Sequence, residues 1–415
     1  MAVQPTKARF RSVYIKGIDI LRHVAKIEVY EDICKQFKTA RLTVIDNNDV
    51  INNLKIVGGE EVSFAFDNLL GDIYQDKMHI ISVAGEAYAK NKRSTIYTIN
   101  LHGEEYFYDK ANIVQHSFKN NTATSAVNIL HSKFFKTNLQ VKVPSLGPLA
   151  LETAHIISSL NPLTAIHQIK NLATYAQYKT GSTLYFRDAK GHVVAPLEHL
   201  FDTLSPQQTF IQKATWGSNW QDVFGAYNAI IEADTILDQH GAAGRTTQDV
   251  ASSSQQGNII FDMKSKSFVV NKILGGAVQI GKLSGSADAI LNNLKSFATT
   301  GGLGGKPNFQ IWDTTQTPKN NIPSLKTPEE RLYQDAARNG PTVKIMVPIQ
   351  SGIKCTIGQG VFANLLPPSG DLQGALTNSV GGLMMVTELV HTVYNNDQST
   401  NGTTTMKCIS GGYKN

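Results

Sequence analysis

The sequence predicts a mainly β fold with an α/β insert, its strands forming two antiparallel β-barrels per chain. Three observations predict it: period-two hydrophobicity over the first hundred residues, helical spacing over the next hundred, and a return to strands after Pro341. In the first segment Ala25, Ile27 and Val29 alternate with Lys26 and Glu28. Ala40, Leu42 and Val44 alternate with Arg41 and Thr43, and Val62, Phe64 and Phe66 with Ser63 and Ala65. Each such strand has one face to bury. Tyr97, Ile99 and Leu101 continue the series, and the turn signals DNND, VGGEE and AKNKRS recur between strands as in a meander or barrel. Residues 1–106 are therefore assigned to a first closed antiparallel sheet.

The cluster Asp46-Asn47-Asn48-Asp49 invites a calcium reading. A calcium loop of the EF-hand kind needs oxygen donors at positions 1, 3 and 5, glycine at 6 and a bidentate glutamate at 12. Counted from Asp46, those places hold Asp46, Asn48, Val50, Ile51 and Val57, so the pattern fails after two ligands. The remaining short polar side chains suit a turn.

Residues 107–206 read as the α/β insert. TATSAVNILHSKFF and NPLTAIHQIKNLATYAQY carry helical spacing, the second with Asn161 as N-cap, Pro162 at the first helical position and a stripe of Ile166, Ile169, Leu172 and Ala173. GSTLYFRDAKGHVVAPLEHLF follows as a strand, a polar turn at Asp188 to Gly191 and a second apolar segment. Residues 207–235, ending in NAIIEAD, supply a strand to the second barrel. Residues 236–330 are rich in Gly, Ser, Thr and Gln, so ordering entropy is not recovered by a dense core. They read as an extended arm or loop region, with an apolar patch from Phe268 to Ile280 and a helix from Ala287 to Phe297. Residues 331–415 form the second barrel: TVKIMVPI, GIKCTIG, and a hairpin of GLMMVTELVHTVY and TTTMKCIS around NNDQSTNG.

Composition bounds the function. The chain of 415 residues is long enough for several cores, and its 17% of charged residues is low for a globular protein. From 341 to 415 the only charges are Lys344, Lys354, Lys407 and Lys414 against Asp371, Glu388 and Asp397. Charge-poor surface is what interfaces show at their centres, so this part is expected to be covered by partners. The net charge of +6 is spread rather than striped, which argues against specific nucleic-acid binding. No run of 18 apolar residues and no signal-peptide core occurs, so neither membrane insertion nor secretion by a leader is expected. Cys34, Cys355 and Cys408 are too few and too far apart for a disulfide framework or a CxxC knuckle, and Cys355 and Cys408, both read as strand residues, are expected as reduced thiols.

Motifs for chemistry do not assemble. There is no HExxH among the eleven histidines, and no GxSxG elbow. GGLGGKP fails as a phosphate loop because Thr300 and Pro307 stand where Gly and Ser or Thr are required. His192 and His199, and His391 within its strand, read as ordinary hydrogen-bonded histidines. No catalytic residue, cofactor site or metal ligand is assigned.

Taken in order, IEVYEDICKQFKTARLTVIDNNDVINNLKIVGGEEVSFAF, the insert NPLTAIHQIKNLATYAQYKTGSTLYFRDAKGHVVAPLEHLF and the closing GGLMMVTELVHTVYNNDQSTNGTTTMKCISGGY resemble the baseplate central hub proteins of contractile-tailed bacteriophages. They are also similar to the N-terminal hub part of type VI secretion spike proteins. The resemblance leaves residues 236–330 unmatched. It implies tail-tube-like barrels and a non-catalytic homotrimer, a pseudo-six-fold ring that adapts a three-fold spike to the six-fold tail tube. The implied partners are the puncturing spike protein, a tail tube or tube-initiator protein, baseplate wedge proteins and the tape-measure protein. The implied place is the virion tail baseplate, assembled in the host cytoplasm. DNNDVINNLKIVGG becomes an inter-barrel connection that touches a neighbour. Type VI spikes continue into a needle and this chain does not, which implies a separate spike subunit and favours a phage over a secretion-like or phage-like injection particle. The rival of another class is a tail-tip wall hydrolase.

Overall fold

The computed structural model describes residues 6–47, 49–86, 95–149, 155–178, 183–212, 228–235, 257–262, 267–274, 277–283, 308–312, 342–365, 382–396 and 399–410. The N-terminal strands are β1 (Arg9–Ile15), β2 (Ile18–Asp19), β3 (Val24–Asp32), β4 (Thr39–Asp46), β5 (Glu61–Asp67), β6 (Ile73–Glu86) and β7 (Thr95–Gly103), with a short helix α1 (Val50–Asn53) between β4 and β5. Their alternation has the expected consequence: Ile27 and Val29, Leu42 and Val44, and Phe64 and Phe66 all face inward. One residue departs from it. A register shift between Val24 and Lys26 turns Val24 inward in place of Ala25.

The insert comprises α2 (Glu104–Ala111), β8 (Val114–Phe118), α3 (Ala123–Phe134), β9 (Leu139–Val141), β10 (His155–Leu160), α4 (Pro162–Lys170), β11 (Thr183–Asp188), β12 (Gly191–Pro196) and α5 (Leu197–Asp202). Thr122 caps α3 by accepting the Ser125 N–H at 3.2 Å. Thr122→Ala is expected to cost about 1 kcal/mol, read as a lower urea midpoint at unchanged slope. At α4 the expected cap is displaced. Asn161 holds the N-cap position with no side-chain capping bond, because its amide donates to Asp109 O at 2.7 Å. The Asp109 carboxylate, from α2, takes the Leu163 N–H at 2.8 Å instead. The helix also stops at Lys170, so Ala173 is buried beyond its end.

Next come β13 (Pro206–Ile211) and β14 (Glu232–Thr235), then β15 (Gly257–Asp262), β16 (Ser267–Leu274), β17 (Ala277–Leu283) and β18 (Asn308–Trp312). These last four pair as one four-stranded sheet in the order β17-β16-β15-β18. The stretch read as extended arm therefore contains ladders, its apolar patch supplying β16 and β17; the helix expected at 287–297 lies outside the described residues. The chain ends with β19 (Thr342–Pro348), α6 (Ile349–Gly352), β20 (Gly360–Asn364), β21 (Gly382–Asn396) and β22 (Ser399–Ser410). The closing hairpin is tighter than expected, since its strands run through Asn395-Asn396 and Ser399-Thr400.

The two expected barrels are not found among the described residues. No sheet closes there; one 13-stranded sheet runs β14-β19-β22-β21-β3-β4-β7-β6-β5-β1-β2, with β20 and β13 branching from β21. The cause lies in partner choice. The edge of β3 pairs with β21, Glu388 opposite Asp32 through Tyr394 opposite Lys26, so the N-terminal strands continue into the C-terminal hairpin. Period two specifies which face is buried but not which strand lies alongside. Among the described residues the N-terminal segment meets β22 through the isolated bridge Lys7–Asn401 and two flanking backbone bonds, Ala8 N to Thr400 O and Gly402 N to Thr6 O.

Three apolar clusters support this sheet. The N-terminal core includes Ile349 of α6 and Val393 of β21, so it is completed by the far end of the chain. The C-terminal core takes Val343, Ile345, Met385, Leu389 and Met406 together with Leu184, Phe186, Val193 and Ala195 of the insert. The insert's own core gathers Val127, Leu130, Ile166 and Ile169, and takes Tyr185 and Val194 from the opposite faces of the same two strands. The hairpin β11–β12 is thus buried on both sides, which explains its nearly unbroken apolar run.

Candidate functional site

The outer face of the sheet carries a polar row that crosses six strands. Cross-strand register sets Thr403, Thr392, Glu28, Arg41, Asn100 and Ser82 in a single row over β22, β21, β3, β4, β7 and β6. All six point away from the cores. Two ion pairs lie on this face, Lys26 with Glu28 at 2.8 Å and Lys407 with Glu388 at 2.8 Å. The Asn100 amide donates to Ser82 Oγ at 2.9 Å. A face six strands wide, carrying hydroxyl, amide and charged side chains, suits contact with large polar surfaces rather than a small substrate.

On the core side, a buried ionic joint ties the insert to the sheet. Lys38, just before β4, lies 2.7 Å from Glu31 of β3 and 3.6 Å from Asp76 of β6, with side-chain exposures of 6%, 2% and 11%. Lys38 Nζ also donates to the Tyr74 hydroxyl at 3.2 Å, and that hydroxyl donates to Glu31 at 3.2 Å. From the insert, Arg187 of β11 donates to Glu105 of α2, and its other terminal nitrogen lies 4.0 Å from Asp76. Glu105 is 1% exposed and Arg187 17%. Burial, reinforced by Glu31 and Asp76, raises the Tyr74 phenol well above its ordinary value and keeps it neutral. Gly103 makes the approach possible, because a Cβ there would stand 2.5 Å from Glu105 Oε2. A groove of about 490 Å³, lined among others by Ser12, Tyr14, Glu61, Ser63 and Lys77, opens beside this joint and reaches Asp76, Glu104 and Arg187.

Asp46 is buried, its carboxylate accepting the Ile51 N–H at 2.8 Å, and Glu60 accepts from Val57 N and Gly58 N at 2.7 and 2.8 Å. The stretch around DNND is therefore a turn and one helical turn joining β4 to β5 inside the N-terminal strands, not a link between barrels. It leaves Val57 almost fully exposed.

His192 bonds Gln36 O and Thr137 Oγ1, both at 2.8 Å, and burial takes its pKa down to about 3. His391 bonds Thr404 Oγ1 at 2.9 Å and is lowered by burial to about 3 as well. His199 meets the Tyr178 hydroxyl at 3.2 Å. All three are packed, bonded side chains, and they are not brought together at one point. Cys408 lies in β22, whereas Cys355 falls in the turn after α6 rather than in a strand; both are buried free thiols, and burial pushes Cys355 up to about 12. Among the described residues no group of three or more His, Cys, Asp or Glu could hold a metal ion, and no helix is long and apolar enough to cross a membrane.

In structure the chain is similar to a tail protein from Neisseria meningitidis MC58, with 13% sequence identity and a TM-score of 0.54 over 97% of this chain and 96% of that one. It is also similar to the 43 kDa tail protein of prophage MuSo2 from Shewanella oneidensis, with 11% identity and a TM-score of 0.50 over 98% and 97% of the two chains. No family model and no curated protein matches it in sequence. At such identities the likeness is one of fold, and it extends over nearly the whole chain.

Proposed function

We propose that this chain is a structural, non-catalytic subunit of a contractile-tail hub, in a phage tail baseplate or a phage-like injection particle. The observation that carries the reading is the sheet face that runs from N-terminal to C-terminal strands across β3 and β21. Full-length likeness of fold to two tail proteins supports it. In this reading three copies surround a lumen. Each contributes an N-terminal and a C-terminal strand group, so that six related groups face a six-fold tube while the assembly keeps the three-fold symmetry of a spike. The insert, residues 107–206, stands outside the ring within reach of wedge proteins, and residues 236–330 act as an assembly arm. The spike, a tube or tube-initiator protein and the tape-measure protein are the remaining partners.

Native mass measurement of the purified chain tests this, with three times the 45.3 kDa chain mass as the expected particle. A chain that stays single at high micromolar concentration, and also when mixed with its spike, defeats the ring. The wall-hydrolase alternative predicts clearing of peptidoglycan in a zymogram, and no clearing is expected.

A further inference from the structure

The ionic joint beneath the insert contains an odd charge. Three carboxylates, Glu31, Asp76 and Glu105, surround two cations, Lys38 and Arg187, leaving one negative charge in excess in a nearly closed space. Two carboxylate oxygens in it, Glu31 Oε2 and Glu105 Oε2, accept no hydrogen bond, and Arg187 Nε donates none. A buried network with an unbalanced charge and unused acceptors gains by taking up a proton.

We propose that docking of the insert on the sheet is linked to uptake of one proton by this joint, so that acidification tightens the attachment and alkaline conditions loosen it. Glu105 is the acceptor the geometry favours. It faces Arg187 and Tyr185 on β11, Asp76 on β6 and Glu104 on its own helix, with Lys38, Glu31 and Tyr74 one contact further in. Burial holds its carboxyl above the usual glutamate range; Arg187 opposes that, and the neighbouring Glu104 and Asp76 add to it. A group raised in the folded state stabilises below its ordinary value, and that contribution is lost as pH rises through the raised value. The proton reaches the joint through the groove, which Asp76, Glu104 and Arg187 line.

Buried histidines contribute pH dependence of the opposite sign, since His131, His192 and His391 are all lowered by burial. The test therefore compares variants. Hydrogen exchange is measured for peptides of α2 and β11 in the full chain and in Glu105→Gln, from about pH 5 to about pH 8, the ratio at each pH cancelling intrinsic exchange. Opening in the wild type relative to Glu105→Gln is expected to grow several-fold across the range, bounded by about tenfold per pH unit for one proton. Asp76→Asn, which also removes the excess charge, should flatten the dependence; Glu61→Gln, in the groove but outside the joint, should leave it intact. A ratio that stays constant, or a slope that survives in both joint variants, overturns the proposal. If Glu105→Gln does not fold, the wild type decides alone by infrared titration. A buried carboxylic acid persisting above the ordinary carboxylate range is expected, and titration of every carboxyl within that range overturns it.

Discussion

Arg187→Ala is expected to destabilise the protein by about 3–5 kcal/mol, seen as a large drop in the urea midpoint. The arginine donates to the buried Glu105 carboxylate and stands 4.0 Å from Asp76. Removing it strands the Glu105 carboxylate, which is 1% exposed, while Asp76 keeps Lys38; a stranded buried charge costs far more than the loss of an exposed pair. The Arg187→Ala, Glu105→Gln double variant should cost clearly less than the two single changes added together, because the stranded charge is then gone. Additive losses would mean that the two side chains act separately and that the joint is not a unit.

Phe186→Ala is expected to cost about 3–5 kcal/mol through transfer and cavity terms. Phe186 is fully buried in the C-terminal core although it belongs to the insert. Its ring lies over Gly358, where a Cβ would stand 3.0 Å from the ring's Cζ and where φ is +76°. On the Gly358 side the gap left by alanine is bounded by backbone, which relaxes little. Insert and C-terminal strands should lose structure in one transition when followed by separate probes, since β11 and β12 carry side chains of both cores. Two resolved transitions would show that the hairpin is only leaning on the C-terminal core.

What the sequence disclosed, and what it concealed, follows from the range of each interaction. Inward faces of β3, β4 and β5, the helices α3 and α4, and the strand β11 with the turn after it were all legible, because each is a local pattern. Neighbour relations were not. Nothing in IEVYED states that Tyr30 will lie opposite Val390, and without that fact a repeating sheet pattern suggests closure on itself. The ionic joint left a faint signal: Glu31 continues the inward series of Ile27 and Val29, and Arg187 interrupts TLYF, so both are charges at positions meant for the core. Their partners sit on other elements, Lys38 before β4 and Glu105 on α2, and only the fold brings them within reach.

The pairing of β3 with β21 also dictates a timetable. Asn395 donates to Val24 O across 371 residues of chain. A ribosome adding roughly 5–20 residues per second leaves the edge of β3 without its neighbour for about 20–75 s. Throughout that interval Val24 to Asp32 exposes an unpaired row of amides and carbonyls to any other strand in the cell. The nascent protein must therefore be born with an unfinished seam. Its yield in a heterologous host will depend on how well that seam is guarded until the last hairpin emerges: slower elongation should lower soluble recovery, and co-expressed holdase chaperones should restore it.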